Sequence, residues 1–342
     1  MGRSAHAVSG SVQGALRTIL VLVLSLVPAP ALVVAGKCIT PETAVAATPV
    51  ITEAATLYNS SENATVTQMS PQQEYAVKVA VADALTINHL NTVTVKIAID
   101  ADNDDDYSDL PAADTQTSFI MTCTVGDTPI WSQDPSSSTT WDIVEGNCTQ
   151  PSLAAPSGNF WFHFKPGKVA TQAADWDVYV VVTDDGALTD TYYDVNPGDY
   201  GMLWYGEIDV SGTAPNWGTL FPGMDFDHAN AMENVTVSYM SNGNYDAALS
   251  TNNWTGSGKT ATLNTAGTPG ANEFSMKAWS SDNLTAADLV TTSAADCVID
   301  NTGDLTTESG EANGSNTLYL KVGTPFVPGV YSGTITFYIR NR

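Results

Sequence analysis

Six aspartates crowd into the ten residues from Asp100 to Asp109. The spacing of Asp100, Asp102 and Asp104 imitates the first ligands of a calcium loop, where hard carboxylate oxygens converge on one cation. With Asp106 and Asp109 they are the residues that would hold calcium, because so many acids repel one another and a divalent ion relieves that repulsion. The helix–loop–helix form of such a loop is excluded. It requires Gly where Asp105 stands, Glu where Pro111 stands, and a helix where the preceding pattern is that of a strand. An inter-strand calcium loop and a solvated acidic loop tip both stay open.

Other chemistry finds less support. Asp225, Asp227 and His228 mix acids with a histidine, but their spacing matches no metal-ligand signature. The run from Gly256 to Thr260 (GSGKT) imitates the end of a phosphate-binding loop, yet Asn253 stands where that pattern needs its first Gly. No G-x-S-x-G occurs, and among many acids no pair stands out for glycoside hydrolysis. No catalytic residue and no cofactor beyond calcium is expected. The chain reads as a non-enzyme.

The chain has four cysteines: Cys38, Cys123, Cys148 and Cys297. An even count in an exported chain suggests disulfides, and four cysteines allow three connectivities. Cys123 and Cys148 fall in one expected domain and are paired first. Cys38 with Cys297 would then tie the leading segment to the second domain. Zinc lacks both a C-x-x-C spacing and a His partner.

The elements that must position these groups are strands. Val77, Val79 and Val81 alternate with other residues, as do Val93, Val95, Ile97 and Ile99. That period of two marks half-buried strands. Further strands are expected at 118–125, 159–164 and 176–183, then at 207–210, 217–221, 234–240, 273–279, 317–322 and 330–339. The turn of Ser241, Asn242, Gly243 and Asn244 is a hairpin signal, because Asn-Gly tolerates positive φ. Tyr331, Gly333, Ile335, Phe337 and Ile339 should share the core face of the last strand. His163, alternating with Trp161, Phe162 and Phe164, is expected to be half-exposed. Helices should be few and short.

Net charge and leader bound the function. Lys plus Arg number 12 against 37 Asp plus Glu, a formal charge of -25. Such a surface repels nucleic acids and anionic membranes. Arg3 and Arg17 precede an apolar run from Ile19 to Gly36, and no acid appears before Glu42. This is the layout of an export signal, with cleavage near Lys37. An uncleaved membrane anchor is the competing reading, although Pro28 and Pro30 interrupt a helix there. Export follows either way, so the chain is expected to be secreted or on the cell surface, touching a membrane only through an uncleaved leader.

The run from Trp176 to Gly186 (WDVYVVVTDDG) resembles the closing strand and turn of immunoglobulin-like modules such as the PKD-type repeats of microbial surface proteins. Leu318–Val322 (LYLKV) and Pro328–Phe337 (PGVYSGTITF) are similar to the final hairpin of sandwich domains in exported proteins. The segment Trp217–Gly223 (WGTLFPG) resembles a strand entry in such proteins. The resemblance implies spacers, adhesins or envelope components, and it carries no activity. The expected fold is therefore all-β: two immunoglobulin-like β-sandwich domains in tandem after the export signal. Residues 1–36 would be signal, 37–72 a linker or leading strand, 73–204 the first sandwich and 205–342 the second.

The expected function is that of a secreted or cell-surface structural or adhesion protein, calcium-stabilised and self-assembling in an envelope or filament. Its partners would be other surface proteins or copies of itself, and segment 40–72 would be the piece that reaches across. The alternative is a carbohydrate-binding module, in which some of the eight tryptophans stack on glycans.

Overall fold

Alternating β-branched residues make strands because successive side chains face opposite sides of a pleated sheet. The computed structural model describes residues 48–100, 111–137, 140–192, 200–256, 258–293 and 297–342. Its first strands are β1 (Val50–Ile51), β2 (Thr56–Asn59), β3 (Gln68–Met69), β4 (Tyr75–Ala82), β5 (Leu90–Ile99) and β6 (Ser118–Thr124). They continue as β7 (Ile130–Gln133), β8 (Asp142–Ile143), β9 (Ser157–Lys165), β10 (Trp176–Asp184), β11 (Thr189–Tyr192) and β12 (Gly201–Met202). Among the described residues, helix is confined to one 3-10 turn at Ile87–His89.

One sheet runs β1–β4–β9–β8, with β2 also on β4; the facing sheet runs β11–β10–β5–β6–β7. This is the strand order of a variable-type immunoglobulin sandwich. Register puts Val77 opposite Phe162 in the first sheet, and Val95 opposite both Val180 and Met121 in the second. All five are buried between the sheets. Burying each such side chain contributes about 1.5–3 kcal/mol relative to exposure. Trp141 stacks on Phe119 at 4.7 Å and lies 5.8 Å from Trp176, filling one end of this core.

The second half holds β13 (Gly206–Ser211), β14 (Met232–Ser241), β15 (Tyr245–Thr251), β16 (Trp254–Gly256) and β17 (Lys259–Leu263). It ends with β18 (Glu273–Trp279), β19 (Asp288–Leu289), β20 (Val298–Gly303), β21 (Glu311–Val322) and β22 (Ile335–Asn341). Its larger sheet runs β13–β14–β21–β18, with β17 and β19 on the far side of β18. The smaller sheet is β20–β15–β22. Val237, Leu249, Met276, Leu318 and Phe337 belong to the second core between them.

Two halves with little sequence likeness share one pairing scheme. β4 pairs with β9 as β14 pairs with β21, and β5 pairs with β10 as β15 pairs with β22. Residues 217–221 are not a strand, against expectation. Gly218 holds φ of +62°, and Gly223 just beyond holds +80°, left-handed turn conformations rather than the extended backbone of a regular strand. The last strand also starts later than expected, at Ile335.

Candidate assembly surface

The turn at Ser241–Asn244 joins β14 to β15 and does more than reverse the chain. Asn242 is fully buried. Its Nδ2 donates to the carbonyls of Ala170, at 2.8 Å, and Leu203, at 2.9 Å, while its Oδ1 accepts from the Tyr205 amide at 2.6 Å. Its carbonyl accepts from the Gln172 amide at 2.8 Å. A buried amide satisfied on every side fixes its neighbours more firmly than an apolar contact would.

Flanking bonds complete a joint between the two halves. Thr140 donates through its amide and hydroxyl to Glu308, at 3.1 and 2.9 Å. Gln116 Nε2 donates to the Thr306 carbonyl at 3.1 Å. Lys168 meets Glu207 at 2.8 Å, and the Tyr205 hydroxyl donates to the same carboxylate. Burial alone would push the Glu207 carboxyl up, but the bonds from Lys168 and Tyr205 and the lysine charge hold it below the usual range. A polar cleft of 340 Å³ opens beside the joint, lined by Thr171, Gln172, Asn244, Asp304 and Arg342 among others.

The lateral openings of the sandwiches differ. An uncovered sheet edge presents unpaired amides and carbonyls that invite another strand. In the first half both openings are tied: the Ile51 amide donates to Asp190 Oδ2 at 2.7 Å, linking β1 to β11. Gln133 of β7 likewise bonds the Ile143 amide and the Trp141 carbonyl, at 3.0 and 3.2 Å. In the second half, the Ser280 amide donates to the Ile299 carbonyl at 2.9 Å and closes one side. The other side brings β13 beside β22, with Gly206 against Ile339. Among the described residues, β22 is laddered to β15 alone.

The expected sites fare unevenly. Asp100 is buried and accepts from the Tyr179 hydroxyl at 3.1 Å. Asp102, Asp104, Asp106 and Asp109 lie outside the described residues. The expected Cys123–Cys148 bridge is corrected: both are buried thiols in the first core. Cys148 Sγ is held instead at β9, accepting the His163 amide at 3.2 Å and donating to the Val144 carbonyl at 3.5 Å. Burial pushes the Cys123 thiol up to about 12 and that of Cys148 to about 11. Cys297 is a thiol wholly inside the second core, and Cys38 lies outside the described residues.

His163 is also corrected, being buried rather than half-exposed. Its Nε2 faces Glu62 at 3.0 Å and its Nδ1 faces Glu74 at 2.9 Å, which in turn accepts from Asn147 at 2.7 Å. Burial would raise the Glu74 carboxyl, but bonds from Asn147 and His163 and the charges of His163 and Lys165 lower it. Asp225 pairs with Lys321 at 3.2 Å, and His228 Nδ1 accepts from the Asn230 amide. No group of three acids, cysteines or histidines suited to a metal occurs among the described residues.

None of the eight tryptophans is exposed. Trp217 and Trp254 come within 5.5 Å of each other, but both pack on the second core and Trp254 stacks on Phe274. Signals existed in the sequence for the Asn242 turn and for β22. Nothing local marked the turn as a joint, because its partners are some 40 and 70 residues distant.

No family model matches the chain, and no curated protein matches it. Among solved structures, the class 5 fimbriae chaperone CfaA overlaps 79% of this chain and 94% of its own, at 8% identity and a TM-score of 0.22. BcpA, the major pilin subunit of Bacillus cereus, overlaps 82% of this chain and 68% of its own, at 10% identity and a TM-score of 0.22. Overlaps that loose carry no argument about activity. The chain's own strand order identifies it as an all-β protein of immunoglobulin-like sandwiches.

Proposed function

We propose that this chain is a non-enzymatic structural or adhesion subunit of a microbial cell exterior, acting as a stiff two-sandwich strut. The joint around Asn242 carries the reading. Five polar contacts of one buried residue, braced by Glu207 and Glu308, suit a part that transmits force or holds a fixed spacing. The acidic surface and the export-type leader fit the same role. A glycan-stacking platform gains no support from tryptophans that are all at least partly buried. The test is to shave intact producing cells with protease and fractionate them. The mature chain should begin near Lys37, sit outside the membrane and disappear on shaving. Recovery of unprocessed protein in the cytoplasm would overturn the reading.

A further inference from the structure

The two halves of the molecule, compared strand by strand, differ among other places at one sheet edge. In the first half β10 carries β11 on its outer edge. In the second, β22 takes the place of β10, and no described strand stands where β11 would. The consequences show in the side chains. Val178, Val180 and Val182 of β10 are 0–1% exposed, whereas Ile335 and Ile339 of β22 are only partly covered, as are Ile208 of β13 and Trp204 just before it.

Among the described residues the outer backbone edge of β22 pairs with no strand either. The Arg342 amide bonds the Asn244 carbonyl and the Asn252 amide bonds the Thr334 carbonyl, so even-numbered residues of this strand face β15. Ile335, Phe337 and Ile339 then point their amides and carbonyls outward, along an edge about 23 Å long.

We propose that residues 38–47 of a second copy add to this edge as the missing strand, joining copies head to tail. This deepens the surface-subunit reading and rests on it. The region 40–72 expected to reach across is partly committed already, because Val50–Ile51 and Thr56–Asn59 pair with β4 of their own chain. Residues 38–47 precede that commitment, and Thr43, Val45 and Ala47 alternate as a strand requires.

Reach decides between the chain's own edge and a neighbour's. Val50 pairs with Ala82, whereas at the other end of β4 Tyr75 pairs with Phe164, whose ring lies 6.4 Å from that of Trp141, the neighbour of Thr140 in the joint. The C-terminal end of β22 also lies at the joint, since Asn341 pairs with Tyr245 beside the Asn242 turn. To pair along its own β22, the segment would retrace β4 and then cover β22, a path of about 50 Å. Ten extended residues span at most about 36 Å. A second copy needs no such path, and a head-to-tail contact of this kind propagates into a filament.

The test uses the mature full chain and a labelled synthetic peptide of residues 38–47 with Ser in place of Cys38. Expected are concentration-dependent oligomers in light scattering, dissolved by excess peptide but not by a scrambled one. Val45→Asp should weaken self-association by roughly tenfold or more while leaving that chain able to bind the labelled peptide, which shows its edge is folded. A chain monomeric at all concentrations that ignores the peptide would overturn the proposal, even if the protein is found on cells. A monomer whose own residues 38–47 resist protease would place the segment in its own chain and overturn it as well. Cytoplasmic recovery, by contrast, would remove the surface reading whatever the peptide does.

Discussion

Asn242 shows how much one side chain can hold. Replacing it by Ala strips an acceptor from the Tyr205 amide and donors from the Ala170 and Leu203 carbonyls, leaving the Ala170 carbonyl buried and the other two groups partly so. Unpaired buried groups cost about 1–3 kcal/mol each. Asn242→Ala should therefore lower stability by about 2–4 kcal/mol in a denaturant titration and speed proteolysis between the halves. Glu207 and Glu74 set an acid limit. Both carboxyls sit below their unfolded values, so their stabilisation is full above about pH 4.3 and is lost as pH falls through the lowered folded values. Thermal melts should drop steeply below that range, and Glu207→Gln should lose stability at neutral pH while flattening the acid slope. Cys123, Cys148 and Cys297 are neutral and enclosed, so an alkylating reagent should label them only after unfolding. Labelling of the native chain at any of the three would contradict their placement.

At the scale of elements, period-two runs such as Val77–Val81 and Val93–Ile99 are readable because β-branched residues alternate on the core face, although the small Ala76 and Ala98 on the other face are buried too. β15 was not readable. Its Ala247 and Ala248 are both buried, since a central strand covered on two faces needs no alternation. Residues 217–221 misled for the opposite reason: Trp217 is apolar but plugs the core from a loop, donating its indole proton to the Ala231 carbonyl at 2.9 Å. His163 reads as an exposed alternation partner until the carboxylates of Glu62 and Glu74, 101 and 89 residues away in no local pattern, are seen to enclose it. Gly256 gives a sharp test of how β22 is anchored. A Cβ there would lie 1.7 Å from the Val330 carbonyl oxygen, beside the Thr255–Ser332 bridge that leads into β22. Gly256→Ala should cost about 3 kcal/mol and loosen residues 330–341 in amide exchange.

For the whole molecule, the pattern among the described residues is one of lateral seams tied by hydrogen bonds, with β22 laddered on one side alone. Asp190, Gln133 and the Ser280 amide tie the lateral seams of both sandwiches. Along the β22 seam, β13 lies close by, with Gly206 against Ile339, but among the described residues the two strands do not pair. An acidic protein of charge -25 gains solubility from repulsion between copies, so contact through a defined backbone ladder would be selective where diffuse surface attraction is not. The most direct measurement is residue-resolved amide exchange along Ile335–Asn341, in dilute monomer and at assembling concentration. Amides of Thr336, Tyr338 and Arg340 should be protected in both, while those of Ile335, Phe337 and Ile339 exchange fast in the monomer and slow on assembly. Equal protection of all six in the monomer, or no change at Ile335, Phe337 and Ile339 when copies associate, would contradict it.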